Sequence, residues 1–321
     1  MRSPGGSGSR IHEGLVGARA LVGTRYLADP DLRAEYEREI APRTVAALGK
    51  VLAEQFPPGT EAHRPERILD LGAGTGAARE ALQQYFGPGP TIVEVDRVAT
   101  RLGVRVADLS APGGVAAASG GARFDLVVAA HVLNELFVGD APARRIDRLS
   151  QLVRRWCEDL LARDGALILL EPALRETSRV LLAVRDQVLA AGLHVAAPCF
   201  FTGPCPALRQ ERDWCHDSAG AESGRRVDFS YLVVRALAGP PPDPTLFRIV
   251  SDPLPEKGRL RLFACGAPGR QPLVRLDRNY APTNSDLDRA VRGDVMRIDH
   301  TTSASDGLRI DAASSVDLVH P

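Results

Sequence analysis

Two groups of residues have the types and spacing to do chemistry. The first lies in PCFFTGPCPALRQERDWCHD (198–217), where Cys199, Cys205 and Cys215 place three of the chain's five cysteines in one proline-broken loop. The pattern Cys-x5-Cys-x9-Cys lacks the paired Cys-x-x-Cys knuckles of most structural zinc sites. Prolines 198, 204 and 206 nevertheless stiffen the loop in a way that suits preorganised ligands. A fourth ligand is needed. Cys265, in RLFACGAPG, is the remaining thiol outside a helix; Cys157, on RRWCEDL, reads as a buried helix cysteine, and His216 adjoins Cys215 too closely for one tetrahedral centre. A disulfide, a metal (zinc or iron–sulfur) and an accident of sequence remain open at this point. Four thiolates are a common ligand set for iron–sulfur.

The second group is ILDLGAGTG, which sets Gly72, Gly74 and Gly76 between an apolar segment and a helix-like one. Glycines there let the backbone approach a ligand closely, and the following helix N-terminus offers free N–H groups. Asp96 ends the next strand-like segment and can accept both ribose hydroxyls of a nucleoside. Asp108 ends the one after, where a short acid can meet an adenine amino group. As a bare pattern, Gly72-x-Gly74-x-x-Ala77 also fits a relaxed dinucleotide fingerprint. Asp70 inside the strand and the close third glycine resemble instead the first motif of class I methyltransferases, so S-adenosylmethionine is the expected cofactor. A nicotinamide pocket and an empty glycine turn are the alternatives. His131, Asn134 and Glu135, in AAHVLNEL, lie near the expected methyl site, with His131 readable equally as a pocket wall. No Asn- or Asp-Pro-Pro-aromatic element follows this strand, no nucleophilic cysteine stands beside it, and no residue takes a catalytic assignment.

The elements that must position these groups alternate. RILDL (67–71), TIVEVD (91–96), RLGVRVADL (101–109), FDLVVAAHVL (124–133) and ALILLEP (166–172) read as strands. Helices are expected over 77–86, around 144–162 and over 176–192. Strands that are apolar throughout and separated by helices argue for a parallel sheet covered on both faces. Before it, 30–55 looks helical, capped by Asp29 or Asp31 and kinked or divided at Pro42. PPGTEAHRPE breaks the chain, and APGGVAAASGGA (111–122) is expected as a flexible loop. VDFSYLVVRAL (227–237) resumes as a strand. GPPPDP (239–244) is a linker to short β-like pieces. The expected organisation is an N-terminal tail and helical region (1–62), a Rossmann-like α/β domain (63–237) carrying the cysteine loop 198–217, a small β appendage (245–300) and a flexible polar tail (301–321).

Bulk composition excludes some partners. The chain of 321 residues is 44% hydrophobic and 25% charged with a formal net charge of zero, so no whole-molecule field draws it to nucleic acid or membrane. Basic surface must be local. Arg144, Arg145, Arg148, Arg154 and Arg155 bracket one helix and read as a solvated face, whereas the appendage arginines (259, 261, 270, 275 and 278) are candidates for RNA phosphate contact. No apolar run is long enough to span a membrane, and MRSPGGSGSR has no apolar core of a secretory signal. A short flexible tail is expected there, with a transit peptide as the alternative. Clustered thiols in a reduced compartment more often mean metal than disulfide.

A specific resemblance joins these readings. APRTVAALGKVL, ILDLGAGTG, FDLVVAAHVLNEL, the LLEP–helix–VRDQVL segment, PC…PCP…WCH, FSYLVVR and Cys265 followed by RGD (292–294) are similar to a methyltransferase-like family. That family includes the mitochondrial small-ribosomal-subunit assembly factors and their bacterial relatives, and the likeness spans about residues 25–295. It implies a class I methyltransferase fold, S-adenosylmethionine at Asp70, Gly72, Gly74, Gly76, Asp96, Asp108 and His131, and a [4Fe–4S] cluster on Cys199, Cys205, Cys215 and Cys265, with zinc as the alternative metal. It also implies the small ribosomal subunit or its RNA as partner, a monomer, and a location in the bacterial cytoplasm or, in a eukaryote, the mitochondrial matrix. DSAG after WCH departs from the family's aromatic and basic residues there, and 277–300 is only loosely similar.

Overall fold

The computed structural model describes residues 9–59, 64–220, 224–237, 239, 241 and 243–320. Most of the expected N-terminal tail, the middle of the PPGTEAHRPE break and parts of the GPPPDP linker lie outside them.

Helix α1 (Pro30–Glu39) starts where Asp29 Oδ1 accepts from the amides of Asp31 (2.8 Å) and Leu32 (3.2 Å), so Asp29 is the cap. Pro42 divides rather than kinks the run. It falls in the first turn of α2 (Ala41–Gln55), where its missing N–H costs nothing.

Strands β1 (Arg67–Leu71), β2 (Thr91–Asp96), β3 (Arg105–Val106), β4 (Phe124–Ala130) and β5 (Leu161–Pro172) run parallel in the order β3-β2-β1-β4-β5. Helices α3 (Ala77–Phe86), α4 (Gly114–Ser119) and α5 (Pro142–Leu160) lie along the chain between them. Helix α6 (Arg175–Ala190) then leads to β6 (His194–Ala197), β7 (Asp217–Gly220) and β8 (Arg226–Arg235). β8 inserts antiparallel between β5 and β6, and β7 pairs with β8. This is the expected Rossmann-like α/β fold, a central parallel sheet with an antiparallel strand inserted near its edge. The strands read as continuously apolar because alternate residues feed two cores. Leu69, Val127 and Leu167 pack with Leu149, Val153 and Trp156 of α5, while Ile68, Leu126 and Ile168 pack with Leu48, Leu52 and Leu82 of α2 and α3.

Two expectations are corrected. Segment 111–122 is not a plain loop: it holds α4, flanked by Gly113 (φ +73°) and Gly120 (φ +72°), with Val115 buried in the core. The expected polar tail is not free over its described residues, 301–320. The second sheet comprises β9 (Leu246–Ile249), β10 (Leu254–Glu256), β11 (Arg259–Gly266), β12 (Gly269–Leu276), β13 (Val295–Asp299), β14 (Thr302–Ala304), β15 (Gly307–Ile310) and β16 (Ser315–His320). Its order is β14-β15-β12-β11-β9-β13-β16, with β10 on β11. The tail supplies Ile310 and Val316 to a core shared with Leu262, Leu273 and Met296. Strands buried on one face carry few apolar residues, which is why this stretch reads as polar. The β appendage therefore runs to residue 320.

A buried ion network joins the two sheets. Arg248 of β9, 5% exposed, donates to Glu54 Oε1 of α2 (2.6 Å), Pro198 O (2.8 Å) and Gly293 O (2.7 Å), and lies 3.7 Å from Asp217 Oδ2. Lys50 of α2 completes Asp217 at 3.2 Å, and Tyr231 donates to Glu54 Oε2 at 2.8 Å. Gly293, at φ +98°, is required there, since a Cβ would lie 1.9 Å from Asp217 Oδ1.

Candidate functional site

The glycine loop turns at the carboxyl end of β1, where parallel sheets bind ligands. Gly72 N donates to Val95 O (2.8 Å) and Gly74 N to Asp96 Oδ2 (2.8 Å), which ties the loop to β2. Val98 N donates to the other Asp96 oxygen at 2.9 Å. Gly72 and Gly74 take left-handed φ of +74° and +47°. Beside them opens a cavity of about 480 Å³ lined by Gly72, Gly74, Asp96, Asp108 and His131. Five of the seven sequence candidates thus meet. Asp70 and Gly76 do not line it. Gly76 starts α3 beneath the Arg101 guanidinium, and Asp70 sits behind the loop, fully buried, with neither carboxylate oxygen hydrogen-bonded. Burial pushes its pKa up to about 7, reinforced by Asp96 and opposed by Arg101. Asp108 is held low, chiefly because Ser110 donates through its hydroxyl (2.7 Å) and amide (2.8 Å).

The cover of this cavity comes from residues 23–27, which carry no motif. Arg97 donates to Gly23 O (3.0 Å) and Glu135 Oε2 (3.0 Å), and the Tyr26 hydroxyl donates to Glu135 Oε1 (2.9 Å). Burial raises Glu135 to about 7. His131, at φ +59°, is fixed by its amide on Leu170 O (2.7 Å) and by Nε2 at 3.0 Å from Thr44 Oγ1; Nδ1 has no partner. Burial lowers it to about 4, so the imidazole is neutral at pH 7. The turn after β4 is clamped from below. Glu171, raised to about 8 by burial, accepts from Leu133 N (2.8 Å) and Asn134 N (3.2 Å), while Arg145 donates to the carbonyls of Leu133, Asn134 and Leu136. Tyr26, Arg97 and Glu171 escaped the sequence reading because their partners lie 109, 38 and 37 residues away.

The cysteine loop is held by one face of α6. Arg179 donates to Ala207 O (3.1 Å), Gln210 O (2.8 Å) and Asp213 O (2.6 Å). Arg185, 1% exposed, donates to Gly203 O (2.5 Å) and Phe201 O, and Asp186 accepts from Cys205 N at 2.9 Å. β11 of the other sheet brings Cys265, whose cross-strand partners in register are Arg248 and Arg270. All four expected thiols, Cys199, Cys205, Cys215 and Cys265, line one cavity of about 40 Å³ with Trp214, Arg248 and Arg270. None is in a disulfide. Burial pushes Cys205 up to about 11 and Cys215 up to about 12, and raises Cys265 further. Among the described residues, no three His, Cys, Asp or Glu side chains are arranged to hold a single metal ion. The donor set and its convergence suit a metal centre; its ligating geometry is not formed. Cys157 is buried inside α5, and His216 stacks on Trp214 (centroids 4.2 Å) outside the four-thiol cavity.

The arginines expected to meet RNA are mostly occupied. Arg275 is 5% exposed and bonded to Asn284 O (3.0 Å) and Asp288; Arg261 pairs with Glu256 (2.6 Å) and Arg270 with Asp213 (3.2 Å). Arg259 also pairs with Glu256. Arg259, Arg261, Arg270 and Arg275 thus each have a carboxylate partner within the protein, Arg259 and Arg261 sharing one.

Comparison with known proteins follows the same division. No curated protein sequence matches the chain. Among solved structures it is similar to the mitomycin 7-O-methyltransferase MmcR (16% identity, 65% of this chain, 58% of that one, TM-score 0.37). It is also similar to the plantazolicin methyltransferase BpumL in complex with SAH (15%, 71% and 98%, TM-score 0.39). A third is an O-methyltransferase family protein from Burkholderia thailandensis (18%, 68% and 63%, TM-score 0.39). The chain spans less than two thirds of the first and third of these, and likenesses of this size carry no argument about chemistry. The sequence profile described as "Mitochondrial small ribosomal subunit Rsm22" matches residues 33–271, from α1 through the cysteine loop to Cys265 and the hairpin after it, and the chain belongs to the Rsm22 family.

Proposed function

We propose that this chain is an S-adenosylmethionine-binding, methyltransferase-like protein of the small ribosomal subunit. The observation that carries the reading is the cavity of about 480 Å³ at the strand ends, walled by Gly72, Gly74, Asp96 and Asp108. It lies within the usual range for small-molecule sites. Each Asp96 oxygen spends one lone pair on a backbone N–H and keeps another for a ribose hydroxyl. Asp108 would take the adenine amino group, Gly72 and Gly74 would give their backbone to close approach, and His131 would wall the methyl end. Asp70, buried without a partner, and Gly76 would shape the loop from behind. When bound, the cofactor supplies an electrophilic methyl group on a sulfonium; the chain's task is to hold it and to exclude water beneath the 23–27 cover.

The finer proposal for the thiols is a [4Fe–4S] cluster on Cys199, Cys205, Cys215 and Cys265, with zinc as the alternative. A cluster takes one thiolate at each iron, so its sulfurs need not meet at one point. The guanidiniums of Arg248 and Arg270 stand on the cavity wall, Arg248 paired with Glu54 and Arg270 with Asp213. Membership of the family supports the small subunit as partner and, if the source is eukaryotic, the mitochondrial matrix; the bacterial cytoplasm is the corresponding proposal for a bacterial source. Among the described residues no helix is long and apolar enough to cross a membrane. A second reading, an assembly factor that binds the subunit without transferring methyl groups, is favoured by the placement of the thiols at the joint between sheets.

Calorimetry with S-adenosylmethionine tests the pocket. The wild type should bind, and Gly74→Val should lose about tenfold or more, because a side chain at φ +47° is strained and would run against Leu27 of the cover. Unchanged affinity would move the pocket elsewhere. Incubation with labelled methyl donor and small-subunit particles from cells lacking the protein separates the readings. Label in the particles establishes the enzyme; binding without label establishes the assembly factor.

A further inference from the structure

A second cavity, of about 300 Å³, adjoins the glycine-loop cavity. Tyr26, Tyr36, His131 and Glu135 line both, so these four side chains form the partition between them. The second cavity has an apolar, partly aromatic body made by Val16, Ile40, Tyr36 and Phe229. Tyr26 and Tyr36 stand with ring centroids 6.2 Å apart, inclined by 38°.

Two buried acceptors on its wall have no partner. Asn134 is 8% exposed and its Oδ1 makes no hydrogen bond, although its backbone is fixed by Glu171 and Arg145. His131 Nδ1 is likewise unpartnered. Thr44 Oγ1 lies 3.0 Å from His131 Nε2 and 3.3 Å from Ile40 O, and in the tautomer that carries the ring proton on Nε2 the Nδ1 atom presents a bare lone pair. A buried acceptor left unmade costs about 1–3 kcal/mol, so a pair of them on one cavity wall calls for a ligand with N–H donors.

Charge decides the ligand class. A lysine side chain as acceptor would want a free carboxylate. The two acids on the wall are already answered: Glu135 by Arg97 at 3.0 Å and Asp228 by Arg226 at 2.7 Å. Arg43 lies exposed on the same wall and, among the described residues, makes no ion pair. An apolar slot with aromatic faces, two acceptors within and an uncompensated guanidinium at the side fits a flat N–H-bearing ring attached to a phosphate.

We propose that this cavity is the acceptor pocket, taking one unstacked nucleobase of single-stranded RNA with an N–H edge on Asn134 Oδ1 and His131 Nδ1 and the adjoining phosphate at Arg43. The assignment deepens the S-adenosylmethionine reading and rests on it for the transfer step. There, a lone pair of the base forms the bond to the methyl carbon and the sulfonium–methyl bond breaks with its electrons left on sulfur. The proton shed by the base leaves by way of His131 Nδ1 to water, the imidazole returning to its neutral form.

The test uses the full chain and short single-stranded RNAs carrying 4-thiouridine. On irradiation, cross-links should map to Tyr26, Tyr36, Phe229 or the 131–135 turn. Asn134→Ala and the exposed Arg43→Ala should each weaken RNA binding about tenfold, while S-adenosylmethionine affinity by calorimetry stays at the wild-type value. Cross-links confined to other surfaces, or unchanged RNA affinity in both folded variants, would overturn the pocket. So would methyl label entering stripped ribosomal proteins and not stripped RNA. Cavity cross-links in a protein that binds no S-adenosylmethionine would uphold the base pocket and sink the cofactor reading instead.

Discussion

The glycine-loop cavity and the cysteine cavity are built on opposite principles. The first is assembled from the ends of adjacent parallel strands, and its polar wall carries both signs: Asp96, Asp108 and Glu135 with Arg25 and Arg97. The second draws three thiols from a loop braced by α6 and a fourth from β11 of the other sheet, and its charged wall is basic: Arg248 and Arg270. The first is formed wherever the α/β sheet is formed. The second exists only when the two sheets are docked. The difference teaches that an occupant of the thiol cavity would act on the docking itself, whereas an occupant of the glycine-loop cavity would leave it alone.

The largest expected effect follows from that distinction. Ligands of one centre act as a unit, and metal binding to a site that needs both sheets is also folding free energy. Cys199→Ser, Cys205→Ser, Cys215→Ser and Cys265→Ser should therefore share one phenotype: loss of brown colour and bound iron in anaerobically purified protein. Proteolysis should rise both around 198–217 and across the 246–320 sheet. Cys157→Ala, a change inside α5 at a thiol 1% exposed, should keep its iron and lose only about 1 kcal/mol of stability. Iron at the wild-type level in Cys265→Ser would place the fourth ligand elsewhere and separate the two sheets energetically.

How much of each region could be read in advance differs for the same reason. The strand ends of β1 and β2 and the bounds of α3 follow from short-range pattern: an apolar run, glycines, then helical periodicity. So does the meeting of Gly72, Gly74, Asp96 and Asp108, because a parallel sheet brings the ends of neighbouring strands together whatever lies between them. The convergence of Cys265 with Cys199 was reached by elimination among the thiols and by the family resemblance, since no local pattern reports which strand of a second sheet faces a loop. The cover over the cavity was not legible at all. Tyr26 and Glu135 are an unremarkable pair until the fold closes 109 residues between them. The strands β14–β16 were missed because each buries only one face, and Ile310 and Val316 alone do not make a tail look apolar.

A smaller effect should come from the ion network beside the thiols. Arg248→Ala removes the cation between Glu54 and Asp217, both shielded from water, while Lys50 still answers Asp217 at 3.2 Å. Breaking a buried pair from one side costs about 3–5 kcal/mol, and the surviving Lys50 contact argues for the lower end. Urea unfolding at neutral pH should record that loss, together with reduced iron content and unaltered S-adenosylmethionine affinity. A loss below about 1 kcal/mol would show that the sheets dock through their remaining contacts, and a parallel fall in cofactor affinity would erase the contrast between the two cavities.

The last effect is a change of slope, and it belongs to the glycine-loop side. Asp70 is raised to about 7 by burial, from an ordinary value near 3.8. Between those values the unfolded chain has released a proton that the folded chain retains. The folded state thus binds more protons, and its stability falls as pH rises through the window, levelling off above about 7. One such group contributes at most about 1.4 kcal/mol per pH unit. Asp70→Asn cannot ionise, so the decline between pH 4 and 7 should become shallower. It should not vanish, because Glu135 and Glu171 are raised to about 7 and about 8 by the same cause. Cysteine-cavity variants should leave this slope untouched, since none of them alters the burial of Asp70. If Asp70→Asn keeps the wild-type slope, Asp70 is already ionised in the folded protein throughout the window from pH 4 to 7. In that case the neighbouring Arg101 guanidinium, which pulls its pKa down, outweighs its desolvation.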